Sequence, residues 1–285
     1  MKIIFLGEDS FSAAVLDKLI FAGHEILKVY TPFYNNNIYK RLEVICAKNI
    51  IAFDRINNIN SKPIQDEIFA LSPEIIIVTH FEKVLKSQII SIPKFGCINL
   101  HPSLLPNYRG LAPQHWPIIK GENFTGITVH YINEGIDTGD IIIQKKIQIQ
   151  TNDCVYDLQL KMKDIYGQII LEALNIIENN IVVPIVQTNL VGSYYGRLKI
   201  DDCVINLNGK AKDAYNLIRG VSFPYFGARC KDYIIWKANF ATKDISDTIL
   251  NIHHKDDIYL NSDYGDYIKF KDGILIIEKY TIYER

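Results

Sequence analysis

Residues 2–31, KIIFLGEDSFSAAVLDKLIFAGHEILKVYT, decide the fold. The run KIIFLG is apolar and strand-like. In DSFSAAVLDKLIFAG the apolar residues recur three and four apart, with Ser10 or Ser12 as the expected cap and Gly23 as the stop, which predicts a helix. EILKVYT then returns to a strand pattern. Strand, helix and strand in this order imply two parallel strands joined by a right-handed crossover.

Working outward, the same alternation continues. YKRLEVICAKN reads as a helix, IIAF as a short strand, SKPIQDEIFALS as a helix with Pro63 in its first turn, and EIIIVT as a buried strand. Repetition of this kind predicts an open α/β sheet of mostly parallel strands, whose ligands bind outside the carboxyl ends of the strands. FGCINL is the next strand, and Asn99 and His101 stand at its carboxyl end. Beyond it come a short helix in PQHWPIIKG and two alternating segments in TGITVHYINEGIDTGDIIIQKKIQIQ, joined by a glycine-rich turn that carries Asp137. DCVYDLQLKMKDIYGQIILEALNIIENN is then one long amphipathic helix with Asp153 as its expected cap. From about Pro184 the character changes to short alternating runs, DCVINL, YIIWKANF and DGILIIEKYTIYE, with one helix-like piece, AKDAYNLIRG. Residues 1–183 are therefore expected to form an α/β domain with a connecting helix, and residues 184–285 a smaller β-rich domain.

Composition narrows the function. With 285 residues, 48% of them hydrophobic, the chain can bury a sizeable core. The 31 basic and 32 acidic residues leave a net charge of -1, without the surplus expected of a protein whose main work is gripping phosphate backbones. Cys46, Cys97, Cys154, Cys203 and Cys230 form no CxxC pair, and MKIIFLGEDS is too short and too soon acidic for a signal peptide, so reduced, buried thiols in a cytoplasmic protein are expected. No apolar run approaches the ~18 residues of a membrane-spanning helix. His253 and His254, in NIHHKDD, read as a solvated loop, and no metal site is expected.

Alternation puts Asn99 and His101 on one side of their strand. An Asn amide can stabilise an oxyanion, a His can move a proton near neutrality, and a carboxylate such as Asp137 can fix the imidazole tautomer. With no Ser or Cys nucleophile in the set, it suits attack on an acyl carbon by an amine of the substrate. The same residues also serve plain structure: Asn and His satisfy loop backbone, and Asp beside Gly forms ordinary turns. Position alone leaves both readings open.

The segment INLHPSLLPNYRGLAPQHWPIIKGENFTGITVHYINEGIDTGDIIIQKKI closely resembles the formyltransferases that use 10-formyltetrahydrofolate. Their pattern of Asn-x-His, a Ser-Leu-Leu-Pro loop and an Asp in a turn of Gly, an aliphatic residue (Ile, Leu or Val), Asp, Thr and Gly stands here in order, with Ile136 at the aliphatic position. The resemblance implies an open, mostly parallel Rossmann-like sheet of the formyltransferase fold followed by a smaller OB-like domain. It implies that an amine attacks the formyl carbon on N10 of the folate. Asn99 would stabilise the oxyanion, His101 would take a proton from the amine or stabilise the developing charge, and Asp137 would orient and polarise His101 and help relay a proton to the leaving folate nitrogen. The pterin would be held largely by main-chain groups of Lys83, Val84 and Leu85 on one side and of Ile136, Asp137 and Asp140 on the other.

Three branches of the family differ in the amine they formylate. The glycinamide ribonucleotide branch is one compact domain, whereas here GRLKIDDCVINLNGKAKDAYNLIRGVSFPYFGARCKDYIIWKA resembles the carboxyl-terminal domain shared by the methionyl-tRNA and sugar branches, including Arg219 and the SFPYFGA turn. From Leu190 to Arg285 there are 14 Lys and Arg against 13 Asp and Glu, too even for a tRNA-binding domain. The segment TPFYNNNIYKRLEV, where the tRNA enzymes resemble one another in a basic loop, is short and holds only Lys40 and Arg41. The expected substrate is therefore a UDP- or dTDP-linked amino-deoxy sugar, as in enzymes that make formylated sugars for bacterial surface polysaccharides. Methionyl-tRNA is the alternative, and a non-catalytic folate or nucleotide binder on the same fold the third reading. For a nucleotide sugar, Tyr108, Arg109, Phe223, Tyr225 and Phe226 would meet base and diphosphate, and Ser103, Gln114 and His115 the sugar. A homodimer is compatible with the apolar second domain.

Overall fold

The computed structural model describes residues 1–33, 40–187, 191–252 and 255–283, so the Asn-rich stretch at 34–39 and His253 and His254 lie outside the described residues. The first half of the chain runs β1 (Lys2–Gly7), α1 (Ser10–Phe21), β2 (Glu25–Pro32), α2 (Arg41–Asn49), β3 (Ala52–Ile56), α3 (Lys62–Leu71), β4 (Ile75–Thr79), α4 (Ser87–Ile90), β5 (Cys97–His101), β6 (Arg109–Gly110), α5 (Trp116–Ile119), β7 (Phe124–Tyr131) and β8 (Ile141–Gln148). After it come α6 (Val155–Glu178), β9 (Tyr194–Tyr195), α7 (Ala211–Val221), β10 (Ala228–Cys230), β11 (Tyr233–Phe240), α8 (Lys243–Ile252), β12 (Ile258–Ser262), β13 (Gly265–Phe270) and β14 (Gly273–Ile282). Two compact units result, Met1–Gly110 with Gly126–Ile147 and Lys161–Tyr194, and Leu111–Thr125 with Gln148–Leu160 and Tyr195–Arg285.

The first unit is built on a seven-stranded sheet of order β3-β2-β1-β4-β5-β7-β8. Strands β3, β2, β1, β4 and β5 are parallel, and β7 runs antiparallel to β5. The mixed α/β class with a mostly parallel central sheet is thus the one the alternation predicts. The winding reverses between β1 and β4, the topological switch point beside whose carboxyl ends such sheets carry ligands. All five residues of β4 are buried, which is why that strand reads as one continuous apolar run. Around it Ile4, Leu6, Ile68, Ile76, Val78, Leu85 and Ile89 pack into one core cluster.

Three local expectations are corrected. The cap of α1 is Asp9, whose Oδ1 accepts from the N–H groups of Phe11 and Ser12 at 3.0 Å each; a carboxylate there also meets the positive end of the helix. Ser12 is buried instead and donates to the Thr79 carbonyl at 2.7 Å, tying α1 to β4. Asp153 lies outside α6 and accepts the Gln150 N–H at 2.7 Å, while Asp157 in the first turn accepts from Cys154 N–H at 2.9 Å. DCVINL does not form a strand: Ile200–Cys203 is a 3₁₀ turn and Val204 makes a single bridge to Arg229.

The second unit holds a separate antiparallel sheet of order β10-β11-β14-β13-β12. Helix α7 lies on it because Ala211, Ala214, Tyr215, Ile218 and Val221, three or four apart, form one buried stripe against Ala228, Ile235, Phe270 and Leu275. Among the cysteines, Cys46, Cys97, Cys203 and Cys230 are buried free thiols, and Cys154 is partly exposed, contrary to the expectation for it. Burial pushes the Cys97 thiol up to about 12. Among the described residues no helix is long and apolar enough to cross a membrane, and no cluster of ligating side chains suits a metal ion.

Candidate active site

Strand β5 lies between β4 and β7 in the sheet, and its pleat carries Asn99 and His101 to the same side. The antiparallel register sets Asn99 opposite His130 of β7, so a second imidazole joins them. The Nδ1 of His130 is 2.8 Å from the Tyr131 carbonyl, which can only accept. That nitrogen therefore carries the proton, and the bare Nε2 accepts from the Asn99 amide Nδ2 at 3.1 Å. The same Nδ2 donates a long bond, 3.4 Å, to Asp137 Oδ1.

His101 is held by the mirror arrangement. Its Nε2–H donates to the Tyr108 carbonyl at 2.8 Å, leaving the lone pair on Nδ1, 3.6 Å from Asp137 Oδ2. Burial, with 4% of the residue exposed, pushes the imidazole below its ordinary value, against the opposing pull of Asp137 and the Tyr108 carbonyl. Burial works the other way on Asp137, but His101, His130 and the Gly110 N–H, which donates to Oδ2 at 2.8 Å, hold its carboxyl well below the usual range. The site thus presents a neutral imidazole with a free Nδ1 beside a permanent carboxylate.

Local chemistry builds the turn that delivers Asp137. Its φ of +52° is a left-handed conformation that Asp tolerates. Asn133 Oδ1 accepts from Gly135 N–H at 3.0 Å and Thr138 Oγ1 at 2.7 Å. A Cβ on Gly139 would lie 1.8 Å from the Tyr131 carbonyl oxygen, so only glycine closes the loop there. Gln187 Nε2 donates to the Gly139 and Asp137 carbonyls at 2.5 and 3.2 Å, and Arg109 donates to the Asp137 carbonyl at 3.2 Å and Gln187 Oε1 at 2.8 Å. Arg109 is therefore engaged with the Asp137 turn itself. Tyr108 has φ +59° and is anchored through its N–H to Ser193 Oγ at 2.9 Å. Ser103 is fully buried, its hydroxyl donating to the Asn107 carbonyl at 2.7 Å within its own loop.

Of the residues expected at the pterin, Lys83 and Val84 lie exposed in the loop between β4 and α4, and the Leu85 side chain is buried in the core. Ile136 is half exposed, and the Asp140 carbonyl accepts the Tyr131 N–H at 2.9 Å. The other expected substrate residues belong to the second unit. Gln114 and His115 are buried there; Gln159 Nε2 donates to Gln114 Oε1 at 3.3 Å and to the Tyr225 hydroxyl. The His115 ring packs edge-on against Tyr225 at 4.4 Å and donates from Nδ1 to the Gly220 carbonyl at 2.8 Å. Phe223 is 68% exposed, and Phe226 is exposed beside it.

His130 and Gln187 escaped the reading of the sequence. Both act through partners far along the chain, and His130 enters only through the β5–β7 register, which no local periodicity encodes.

Residues 1–174 match the family described as formyl transferase. A methionyl-tRNA formyltransferase of Clostridioides difficile (strain 630) is 34% identical over 293 residues, which cover 98% of this chain and 91% of that protein. The corresponding protein of Thermodesulfovibrio yellowstonii is 38% identical over 229 residues, 78% of this chain and 74% of that one. Among solved structures, WlaRD, a sugar 3N-formyltransferase in the presence of dTDP and 5-N-formyl-THF, superposes with a TM-score of 0.77 at 24% identity, over 97% of this chain and 96% of that chain. The N-formyltransferase of Helicobacter canadensis, in complex with folinic acid and dTDP-3-aminofucose, gives 0.73 at 22% identity, over 99% of this chain and 100% of that chain. The fold and full-length likeness agree with the site's chemistry, and the chain belongs to the formyl transferase family.

Proposed function

We propose that the chain transfers the formyl group of 10-formyltetrahydrofolate to the amine of a nucleotide-linked amino-deoxy sugar. The folate supplies an activated formyl group on N10. The residues present suit that donor: an amide N–H, a neutral imidazole and a carboxylate converge at the end of β5, and the loop after β4 leaves main-chain groups of Lys83 and Leu85 without hydrogen bonds among the described residues.

On this reading the chain's own groups divide the work. Asn99 exchanges its long bond to Asp137 for one to the carbonyl oxygen on which negative charge develops. His101 accepts the proton of the attacking amine at Nδ1, the only ring atom left bare by the Tyr108 carbonyl. Asp137 then faces a charged imidazole across 3.6 Å and stabilises it until the ring gives the proton up to the leaving N10 as the carbon–N10 bond breaks, which restores the neutral ring. Lys83, Val84, Leu85, Ile136 and Asp140 would hold the donor, and Tyr108, in the same compact unit, would meet the acceptor.

One observation carries the choice of acceptor. The second compact unit holds 15 Lys and Arg against 16 Asp and Glu, a net charge of -1. Several of its lysines are already paired, Lys231 with Asp257, Lys237 with Glu278 at 2.7 Å and Lys269 with Asp256 at 2.8 Å. Such a unit suits a small diphosphate better than a polyanion that must be neutralised over many phosphates. A second reading, formylation of methionyl-tRNA, is favoured by the 34% identity to such an enzyme across 98% of the chain.

The test is release of tetrahydrofolate from 10-formyltetrahydrofolate with UDP-linked amino sugars, dTDP-linked amino sugars or methionyl-tRNA as acceptor. Turnover with a nucleotide sugar supports the first reading and names the nucleotide. Turnover with tRNA alone replaces it with the second.

A further inference from the structure

We infer that Asn60 and His80 are positioning residues for the formyl donor, acting by pinning the two ends of the loop Phe81–Lys86. This rests on the reading that the main chain of Lys83 to Leu85 recognises the donor.

The loop leaves β4 through His80, whose φ of +48° is a left-handed conformation uncommon for a residue with a side chain of this size. Both ring nitrogens hold it there. Nδ1 lies 2.8 Å from Asp9 Oδ2 and Nε2 lies 3.0 Å from the Tyr166 hydroxyl, while the ring stacks on Phe11 at 4.9 Å and 21°. Asp9 is immobilised in turn by capping α1 with its other oxygen. His80 is therefore tied to α1, to its cap residue Asp9 and to α6, at the point where the sheet reverses its winding.

Asn60, in the turn between β3 and α3, holds the far end. Its Nδ2 donates to the Val84 carbonyl at 2.8 Å, its Oδ1 accepts from the Lys86 N–H at 2.9 Å, and its own carbonyl accepts from Gln65 Nε2 at 2.8 Å. The Leu85 side chain, 3% exposed, plugs the loop into the core. Residues 80, 84, 85 and 86 are thus fixed, and the main-chain groups of Lys83 and Leu85 stay without hydrogen bonds among the described residues. An edge of donors and acceptors left open in a loop clamped on both sides is a ready-made surface for a planar ring with alternating amide-like groups. Preorganisation of this kind lowers the ordering cost of binding.

A purely structural clamp behaves differently. The Asn60 hydrogen bonds join exposed loop groups and add little to global stability, so their loss should register in donor affinity rather than in melting temperature. The experiment measures kcat, KM for 10-formyltetrahydrofolate, KM for the amine acceptor, the Kd of 5-formyltetrahydrofolate and Tm for the full-length wild type, Asn60→Ala, Asn60→Asp and His80→Asn. For Asn60→Ala the expected result is a donor KM and a 5-formyltetrahydrofolate Kd raised about tenfold, with kcat at saturating donor and the acceptor KM unchanged. Asn60→Asp, which keeps the acceptor for Lys86 and loses the donor to Val84, should fall between. An unchanged donor KM and Kd in a folded Asn60→Ala protein, or a fall confined to kcat, overturns the inference. A folded His80→Asn protein should likewise raise the donor KM and the 5-formyltetrahydrofolate Kd with the acceptor KM unchanged, and an unchanged donor KM and Kd there removes His80 from the clamp; should it fail to fold, Asn60→Ala still decides whether the clamp serves the donor. Wild-type protein that neither turns over 10-formyltetrahydrofolate nor binds 5-formyltetrahydrofolate would instead sink the functional reading beneath it.

Discussion

His130 of β7 stands directly across from Asn99 of β5, and its bare Nε2 accepts the Asn99 amide at 3.1 Å while its Nδ1–H is spent on the Tyr131 carbonyl. This pairing orients the amide with its nitrogen toward Asp137, and on the proposed mechanism Asn99 is the oxyanion donor. Asn99→Ala should lower kcat by about 10²–10³-fold, the usual loss for one oxyanion donor. His130→Phe should lower it by a smaller factor, about tenfold, since the amide remains but is free to turn. Steady-state kinetics at saturating substrates check both, and a His130→Phe protein with wild-type kcat would show that the amide needs no such support.

On the proposed mechanism the pH dependence of turnover follows from His101. Burial pushes this imidazole below the ordinary 6.5, so the form able to accept a proton persists into mildly acidic solution and the acid limb of kcat/KM should lie below that value. Asp137 opposes this by favouring the charged ring. Asp137→Asn should therefore move the His101 titration further to acid, as read by NMR of its ring protons, while kcat falls. A shift of the titration toward alkaline pH would contradict the assigned electrostatics.

Stability has its own pH window at Asp9 and His80. Burial opposes the charge on both groups, but the partner prevails in each: His80 is raised above 6.5 by Asp9, with Glu8 adding to it, and Asp9 is lowered below 3.8 by His80 and the Ser12 bonds. The raised His contributes fully below 6.5, and its share is lost as pH rises through its folded value. The lowered Asp contributes fully above 3.8, and its share is lost as pH falls through its folded value. Both contributions are whole between 3.8 and 6.5, and thermal melts of wild type minus His80→Asn should show their largest difference there.

Gly139→Ala should destabilise by about 1–3 kcal/mol, because the new methyl must displace the Tyr131 carbonyl or move the turn. The Asp137 position moves with it, so activity should fall further than the melting temperature alone explains. Denaturant unfolding beside an activity assay separates the two effects.

Salt distinguishes the acceptors. For a nucleotide sugar met by a unit of net charge -1, log KM for the acceptor should vary little with log salt concentration. A tRNA acceptor would show a steep slope, about 0.7–0.9 per phosphate neutralised.

Local pattern was enough for much of this protein. The strand–helix–strand unit from Lys2 to Pro32 and the strand Tyr233–Phe240 lie where their periodicity put them, since a period of two or of 3.6 is a property of neighbouring residues. Asn99 and His101 were legible as a pair for the same reason, both standing on one short strand.

Tertiary structure decided the rest. The cap of α1 went to Asp9 because Ser12 was needed at Thr79, and DCVINL became a 3₁₀ turn with one bridge rather than a strand. Whether Asp137 meets His101, whether His130 holds Asn99 and whether Arg109 braces the turn depend on strand register and on loops that return from far along the chain. Residue types and local periodicity determined which groups were available for chemistry; packing of sequence-distant segments determined which of them touch, because a hydrogen bond is set by atoms in space and only a local one is also set by position in the chain.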